Sequence, residues 1–359
     1  MASRYQLEPL AADGAARWEE LTASYPSFEL FHRKPWLNYL TQSRGMQIRY
    51  WRLSEGSRTL GYFCGGILRK GPFRILGSPL KGWGTNFMGP VMNGNFDPAA
   101  FLGALDGLAS TERLAVAELE SRVLSDAALE AAHYEPVTGW TYWVKLTPDN
   151  PDMMWKGLES VCRNRVRKAM KAGLTVEDAR DPAAADEFYD RYCELMRRKR
   201  RAPPYPRAYP RLLFRHLKEA DLLFALRVRD NTGRVLAVGL FPHDHQTVYF
   251  WGGASWQDGR DLCPNEFLHW SAMRLAAERG LTRYDMCGYG RFKKKFGGEL
   301  ITLKRWHKCY WKSARWARRA YGYLFQKRQR LQGWWEGIRA SHPPGDGQRE
   351  DAAAAEPEN

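Results

Sequence analysis

The chain has 359 residues, with 55 Lys and Arg against 40 Asp and Glu for a formal charge of +15, and it is 44% apolar and 13% aromatic. That length suits two domains at roughly 100–200 residues each, and the apolar and aromatic content excludes a disordered chain. No run of about 18 uncharged apolar residues exists, so a membrane-spanning helix is excluded, and the opening MASRYQLEPLAADGAARWEEL lacks the basic-then-apolar layout of a secretory signal.

In chain order, a short helix at 35–41 precedes strands at 47–53 and 60–68, with Ser-Glu-Gly-Ser as the turn between them, and a third strand at 74–76. A helix from 98 to 108 leads to a strand at 115–119, a helix near 124–133 and a strand at 142–146. Thr147-Pro148-Asp149-Asn150-Pro151 reads as a proline-bounded linker. Beyond it the spacing predicts one basic helix over 152–172. Trp155, Leu158, Cys162, Val166 and Met170 fall on one face, and Arg163, Arg165, Arg167, Lys168 and Lys171 on the other.

A second helix follows at 182–198. Strands at 222–229 and 234–241 flank the turn Asp230-Asn231-Thr232-Gly233, and a third at 247–251 completes a three-strand antiparallel meander. His243 and His245, two apart with no further ligand nearby, read as an exposed hairpin tip and not as a metal site. A helix runs from Pro264 to a stop at Gly280, and RYDMC (283–287) is one more strand. Helix, meander, helix, strand is the order in both halves although the residues do not repeat. The expectation is therefore a duplicated α+β fold with domains at 1–147 and 151–303.

From Lys304 to Arg330 the chain carries ten Lys or Arg and no Asp or Glu, threaded with Trp306, Tyr310, Trp311, Trp316, Tyr321, Tyr323 and Phe325. Residues 304–340 are expected to form a basic, aromatic helical segment. Three uses are open for it: an anionic membrane surface, RNA phosphates with base stacking, or packing on its own domain. The tail 341–359 has no apolar residue beyond alanine and is expected to be disordered. None of the six cysteines lies within four residues of another, so they read as reduced thiols, mostly filling the core.

GxxxxGK[ST], HExxH and GxSxG are all absent. The informative stretch is RYDMCGYGRFKKKFGG (283–298). Asp285 stands near the end of a strand, and a Gly-containing loop then presents Lys293, Lys294 and Lys295 between Phe292 and Phe296. A held lysine beside glycine backbone suits a phosphate or the oxyanion of acyl transfer, and a solvated basic loop is the plainer reading of the same residues.

The strings FKKKFGGE (292–299), PNEFLHWSAMRLAAERG (264–280), YFWGGAS (249–255) and RNRVRKAMKAGLTVE (163–177) resemble the FemAB family and the related BioF2-like acetyltransferases, as does FELFHRKPWLNYL (28–40). The resemblance spans about residues 15–315. It implies two tandem GNAT-like domains, each a mixed, mostly antiparallel sheet flanked by helices, and N-acyl transfer onto an amine of a cell-envelope precursor (peptidoglycan, polysaccharide or lipid-linked). It implies no permanently bound cofactor, the donor being acyl-CoA or aminoacyl-tRNA as co-substrate. Partners would be that precursor, tRNA, and an anionic membrane surface through 304–330, in a cytoplasmic protein peripheral on the inner membrane face.

By the same resemblance Lys293 is the catalytic lysine, and Arg201, Tyr205 and Tyr249 are matched to side chains that hold the precursor's phosphates. Two family features are missing. No long helical hairpin fits between Gly173 and Leu222, and the CoA-pyrophosphate signature [QR]xxGx[GA] is absent. Asp285 is expected to orient or deprotonate the amine, with backbone N–H groups of the Tyr249–Trp251 strand assisting. Arg163, Arg167, Lys168 and Lys295 are expected to bind phosphates of donor or acceptor. The competing reading is a non-catalytic membrane- or RNA-binding protein on a decayed transferase fold.

Overall fold

A computed structural model of the chain describes residues 4–92, 96–199 and 201–320. They divide into two units, one of residues up to 138 together with those from 304 onward, the other of residues 139–303.

In the first unit β1 (Gln6–Pro9), α1 (Ala12–Ala16) and α2 (Trp18–Thr22) lead to α3 (Lys34–Arg44), which has Pro35 in its first turn and ends at Gly45 with φ +61°. Such a left-handed stop costs glycine nothing. Strands β2 (Gln47–Glu55), β3 (Arg58–Lys70) and β4 (Phe73–Ser78) form an antiparallel meander, and β5 (Pro90–Met92) pairs with β3. Helix α4 (Pro98–Thr111), capped by the Asp97 carboxylate, crosses to β6 (Val116–Leu119), which lies parallel to β4. Next come α5 (Asp126–Ala131) and β7 (Glu135–Lys145). Trp51, Phe63, Leu76, Phe101, Leu105 and Leu119 fill this unit's core.

The second unit begins inside β7, ahead of the predicted linker, and runs through α6 (Pro151–Gly157), α7 (Ser160–Lys171), β8 (Thr175–Asp178), α8 (Ala183–Arg198) and α9 (Ala208–Lys218). Strands β9 (Leu223–Arg229), β10 (Val235–Pro242), β11 (Thr247–Tyr249) and β12 (Gly252–Ser255) follow, then α10 (Pro264–Glu278), β13 (Arg283–Asp285), α11 (Arg291–Lys294) and β14 (Glu299–Cys309). One sheet has the order β12-β10-β9-β8. Strand β11 pairs parallel with β13, and β7 pairs antiparallel with β13. Arg227 of β9 reaches Glu187 of α8, while its neighbours Leu226 and Val228 join Phe267 and Leu268 of α10 in the core. That alternation puts α8 and α10 on opposite faces of the sheet.

Both units thus carry an antiparallel meander, a crossover helix and a parallel return strand. Each is completed by a strand from the other's stretch of chain: residues 306–309 of β14 pair with β6, and residues 143–145 of β7 pair with β13. No helix among the described residues is long and apolar enough to cross a membrane.

Four expectations need correction. The predicted third meander strand 247–251 ends at Tyr249 and pairs with β13, and the strand that completes the meander on β10 is β12, which starts beyond it at Gly252. Gly252 and Gly253 permit the break, since a Cβ on either would lie 3.0 Å from the Phe188 ring or 2.8 Å from the Phe250 ring. The helix predicted over 152–172 is interrupted at Leu158, whose backbone is extended (ψ 144°), because the chain around Gly297 lies in the gap: the Glu159 N–H donates to the Lys295 carbonyl.

Residues 304–309, expected within a helical segment, form the end of a strand. Alternate residues find opposite surroundings: Lys304 pairs with Asp126, Trp306 is buried and Lys308 pairs with Asp106, whereas Arg305 reaches Glu120. Helix resumes at 312–320 (α12), and the rest of the predicted segment and the tail lie outside the described residues. Last, His243 is buried and stacks on Phe224 at 4.1 Å; burial pushes its pKa down.

Candidate active site

Strand β11 runs parallel to β13 from 247 to 249, and the Phe250 N–H still reaches the Asp285 carbonyl at 2.8 Å. There the two part. The Trp251 N–H turns to the Leu240 carbonyl and β12 continues along β10, while the Met286 N–H turns to Tyr142 of β7. Strand β12 is consequently the edge of its sheet, and its outer backbone groups face the opening left by the divergence.

Asp285 closes the other side. Its carboxylate is fully buried and accepts from the Thr141 hydroxyl at 2.6 Å, the Trp143 indole N–H at 3.0 Å and the Cys287 N–H at 2.7 Å. The Thr141 oxygen in turn accepts from the Gly288 N–H at 3.0 Å. This network pins a turn in which Cys287 has φ +49°, a conformation side-chain-bearing residues rarely adopt. Burial, reinforced by Asp285, raises the Cys287 thiol well above its ordinary range.

Lys293, in the single turn of α11, donates to the Cys287 carbonyl at 3.2 Å and lies 5.8 Å from the centre of the Phe250 ring. Asp285 and Lys293 therefore grip the two ends of one residue's backbone at the point where the strands diverge. The lysine is half-buried, so its charge is little screened yet reachable.

Sequence reasoning overlooked His269 on α10. It is buried, hydrogen-bonded through Nδ1 to the Tyr284 hydroxyl, and its ring sits 4.4 Å from Phe250, 4.8 Å from Phe296 and 5.4 Å from Phe292. Burial, with the positive charges of Lys293 and Lys295, holds it well below its ordinary pKa and so neutral. Burial likewise raises Tyr284 well above its ordinary value, aided by Cys287 and Asp285. The available signal was Glu266 and His269, two polar groups three residues apart on a helix that is otherwise apolar there.

Lys295 has a different occupation from the phosphate binding expected of it. It is buried, ion-paired to the equally buried Glu266, and covered by the Phe292 ring at 4.0 Å. Burial alone would raise Glu266, but Lys295 and the hydrogen bonds from Lys295 and Arg165 outweigh it and leave its pKa below the usual value. Arg163 is also engaged internally, donating to the carbonyls of Lys156 and Leu158 across the helix break. Arg167 lies over Trp155 at 5.2 Å and bonds Asn164, and Lys168 is exposed.

The remaining predicted residues sit on the α8 side of the sheet. Tyr205 and Trp251 come together at 5.2 Å, Tyr205 is stacked between Tyr192 at 5.3 Å and Tyr209 at 5.9 Å, and Phe188 meets Trp251 at 5.8 Å. Arg201 is exposed, in the connection from α8 to α9. Tyr249 is buried in β11, and the Phe250 ring that follows it lies 5.8 Å from Lys293 Nζ. Elsewhere in the unit a cavity of about 720 Å³ is lined by Asp178, Asp186, Arg211, Lys218, Asp221 and Arg279. These six are paired with one another as Lys218–Asp178, Arg211–Asp186 and Arg279–Asp221. Among the described residues no group of His, Cys, Asp and Glu is arranged to hold a metal ion.

Residues 159–295, which contain Glu266, His269, Asp285, Lys293 and Lys295, match the family model described as an acetyltransferase (GNAT) domain. No curated protein sequence matches the chain. Among solved structures, the chain is similar to FemX at 16% identity over 83% of this chain and 96% of that one, with a TM-score of 0.67. It is similar to L-PGS from Bacillus licheniformis at 12% identity over 85% and 94%, with a TM-score of 0.52. A tandem GNAT protein from the clavulanic acid biosynthesis pathway aligns at 12% identity over 85% and 98%, with a TM-score of 0.50. At these identities the likeness is one of fold.

Proposed function

We propose that this chain, an acyltransferase with a GNAT acetyltransferase domain at residues 159–295, moves an acyl or aminoacyl group onto an amine of a cell-envelope precursor. The observation that carries the reading is Lys293, anchored on the Cys287 carbonyl where β11 and β13 separate. The carbonyl of a thioester or ester lies in that opening, paired to the free edge of β12. The incoming amine forms the C–N bond, the C–S or C–O bond breaks, and the amine's proton leaves with the departing thiol or hydroxyl. Lys293 stabilises the negative charge that builds on the carbonyl oxygen or on the leaving atom.

Asp285 acts as a positioning residue: three internal donors already occupy its carboxylate, which fixes the turn that Lys293 holds. Trp251, Tyr205 and Arg201 hold the acceptor, the arginine meeting its phosphates. The donor is acyl-CoA or aminoacyl-tRNA, and the acceptor a peptidoglycan or polysaccharide intermediate. FemX and a lysylphosphatidylglycerol synthetase among the fold's relatives support an envelope acceptor, and the GNAT domain supports an acyl donor.

Incubation of the full chain with radiolabelled acetyl-CoA or charged tRNA, and with nucleotide-linked peptidoglycan precursors or amino sugars, tests the reading; sensitivity to ribonuclease separates the two donors. Lys293→Ala should lower turnover by roughly 10²–10³-fold with an unchanged melting profile. Undiminished turnover in that variant refutes the assignment.

A further inference from the structure

Helix α12 (residues 312–320) has one face attached to the first unit. Ala314 is buried against Ala115 and Val116, with Phe73, Ile75 and Cys309 around them, and Arg318 is paired with Glu118. At 100° per residue the opposite face carries Lys312, Arg315, Trp316 and Arg319, all exposed, and Trp316 keeps 70% of its surface in water.

Trp311, at the start of the helix and itself 39% exposed, meets the Phe73 ring at 6.3 Å. Phe73 stands at the end of the β3–β4 hairpin, whose tip exposes Arg69, Lys70, Gly71 and Pro72. Two segments remote in sequence are thereby joined into one surface with five cations and a bare tryptophan. Neither 65–80 nor 304–320 contains an Asp or Glu.

We propose that this surface docks the protein on an anionic lipid bilayer. A tryptophan flanked by lysine and arginine suits the headgroup boundary, where the ring sits at the edge of the apolar layer and the cations meet lipid phosphates. Each cation near an anionic surface contributes enough to change affinity about fivefold, so five of them with one tryptophan give reversible, salt-sensitive attachment. Single-stranded RNA would call for aromatics lining a groove that follows its backbone; a side chain as bare as Trp316 lines none.

The test is co-sedimentation of the full chain with vesicles of phosphatidylcholine, with and without roughly one-third phosphatidylglycerol at the cytoplasmic-leaflet type of charge. No turnover is needed, so the outcome is separate from that of the acyl-transfer assays. Binding is expected only with the anionic lipid and should weaken roughly 25-fold, about fivefold per charge, in Arg315→Gln/Arg319→Gln. Trp316→Ala should weaken it further, and Trp316→Phe should reduce the quenching that brominated lipid produces in the parent, leaving the share that comes from Trp311. Melting curves of these surface variants should match the parent's. Equal binding to neutral vesicles, no binding, or binding indifferent to the substitutions overturns the proposal. So does loss of binding to unstructured RNA alone, which would give the surface to nucleic acid.

Discussion

Replacing Glu266 by Met strips the carboxylate that pairs with Lys295. The two side chains retain 6% and 8% of their exposure, so neither exchanges its partner for bulk water. Breaking such a buried pair from one side costs about 3–5 kcal/mol, because the remaining charge is stranded. Lys295→Met should cost less: Glu266 would keep Arg165 at 2.8 Å, but that arginine is 52% exposed and a pair so wetted contributes only about 0–1 kcal/mol. The double variant Glu266→Met/Lys295→Met removes both charges at nearly constant volume, and its cost should fall below that of Glu266→Met alone, near neutrality.

With two units in the chain a single unfolding midpoint is ambiguous, so the readout is hydrogen exchange of β9 and β10 amides, which reports opening of this core. Additive losses in the double variant, or single losses under about 1 kcal/mol, would refute a stabilising pair. They would return Lys295 to the ligand-binding role that the sequence suggested.

Three further outcomes follow from the same region. Gly297 has φ +77°, and a Cβ there would fall 2.0 Å from the Gly157 carbonyl oxygen, so Gly297→Ala should cost well over the roughly 1–2 kcal/mol of left-handed strain alone. Gly280→Ala, at φ +81° with open space around it, should cost only the strain; equal losses of hydrogen-exchange protection in the two variants would disprove the steric contact. Asp285→Ala orphans three buried donors at about 1–3 kcal/mol each and should lower stability and turnover together. Full stability with lost turnover would instead make Asp285 a group that acts on the amine.

Glu266 also sets an acid limit. Its folded pKa lies below its unfolded one, so the unfolded chain binds the proton more readily. The pair's contribution is complete above the ordinary glutamate range of about 4.3 and is lost as pH falls through the lower folded value. The acid-unfolding curve of Glu266→Met should be flatter there than the parent's.

Much of this was legible where a periodicity belongs to the element itself. The two-residue alternation of β9 and β10 around Asp230–Gly233, and the helical spacing of α10 between Pro264 and Gly280, need no partner to be recognised. Partner choice is what the chain hides. Strand β14 has an alternating pattern, but the rule that its lysines and arginine face Asp126, Asp106 and Glu120 of the first unit depends on acids far away in sequence. Thr141 and Trp143, which fix Asp285, precede it by more than 140 positions and looked like part of another domain.

Three consecutive lysines are indistinguishable as letters, whereas one turn of helix sends them apart. Lys293 goes to the Cys287 carbonyl, Lys294 to solvent and Lys295 into the core.

The duplication also explains why the chemistry is assigned to one unit. In the first, β4 is bonded on both sides at the same residues: Ile75, Leu76 and Gly77 pair with β3 and with β6 at once. Past that point the Ser78 carbonyl accepts from Gly89 and Glu120, so the ladder stays closed to its end. The equivalent strand of the second unit divides its partners between two stretches, β11 with β13 and then β12 with β10, across Phe250 and Trp251. A closed ladder has satisfied its backbone and offers a ligand nothing, while the division makes β12 the edge strand of its sheet. The Gly252-Gly253 pair that permits the division and the lysine that guards its apex lie in the same 159–295 segment. The same order of elements is closed in the first unit and divided in the second.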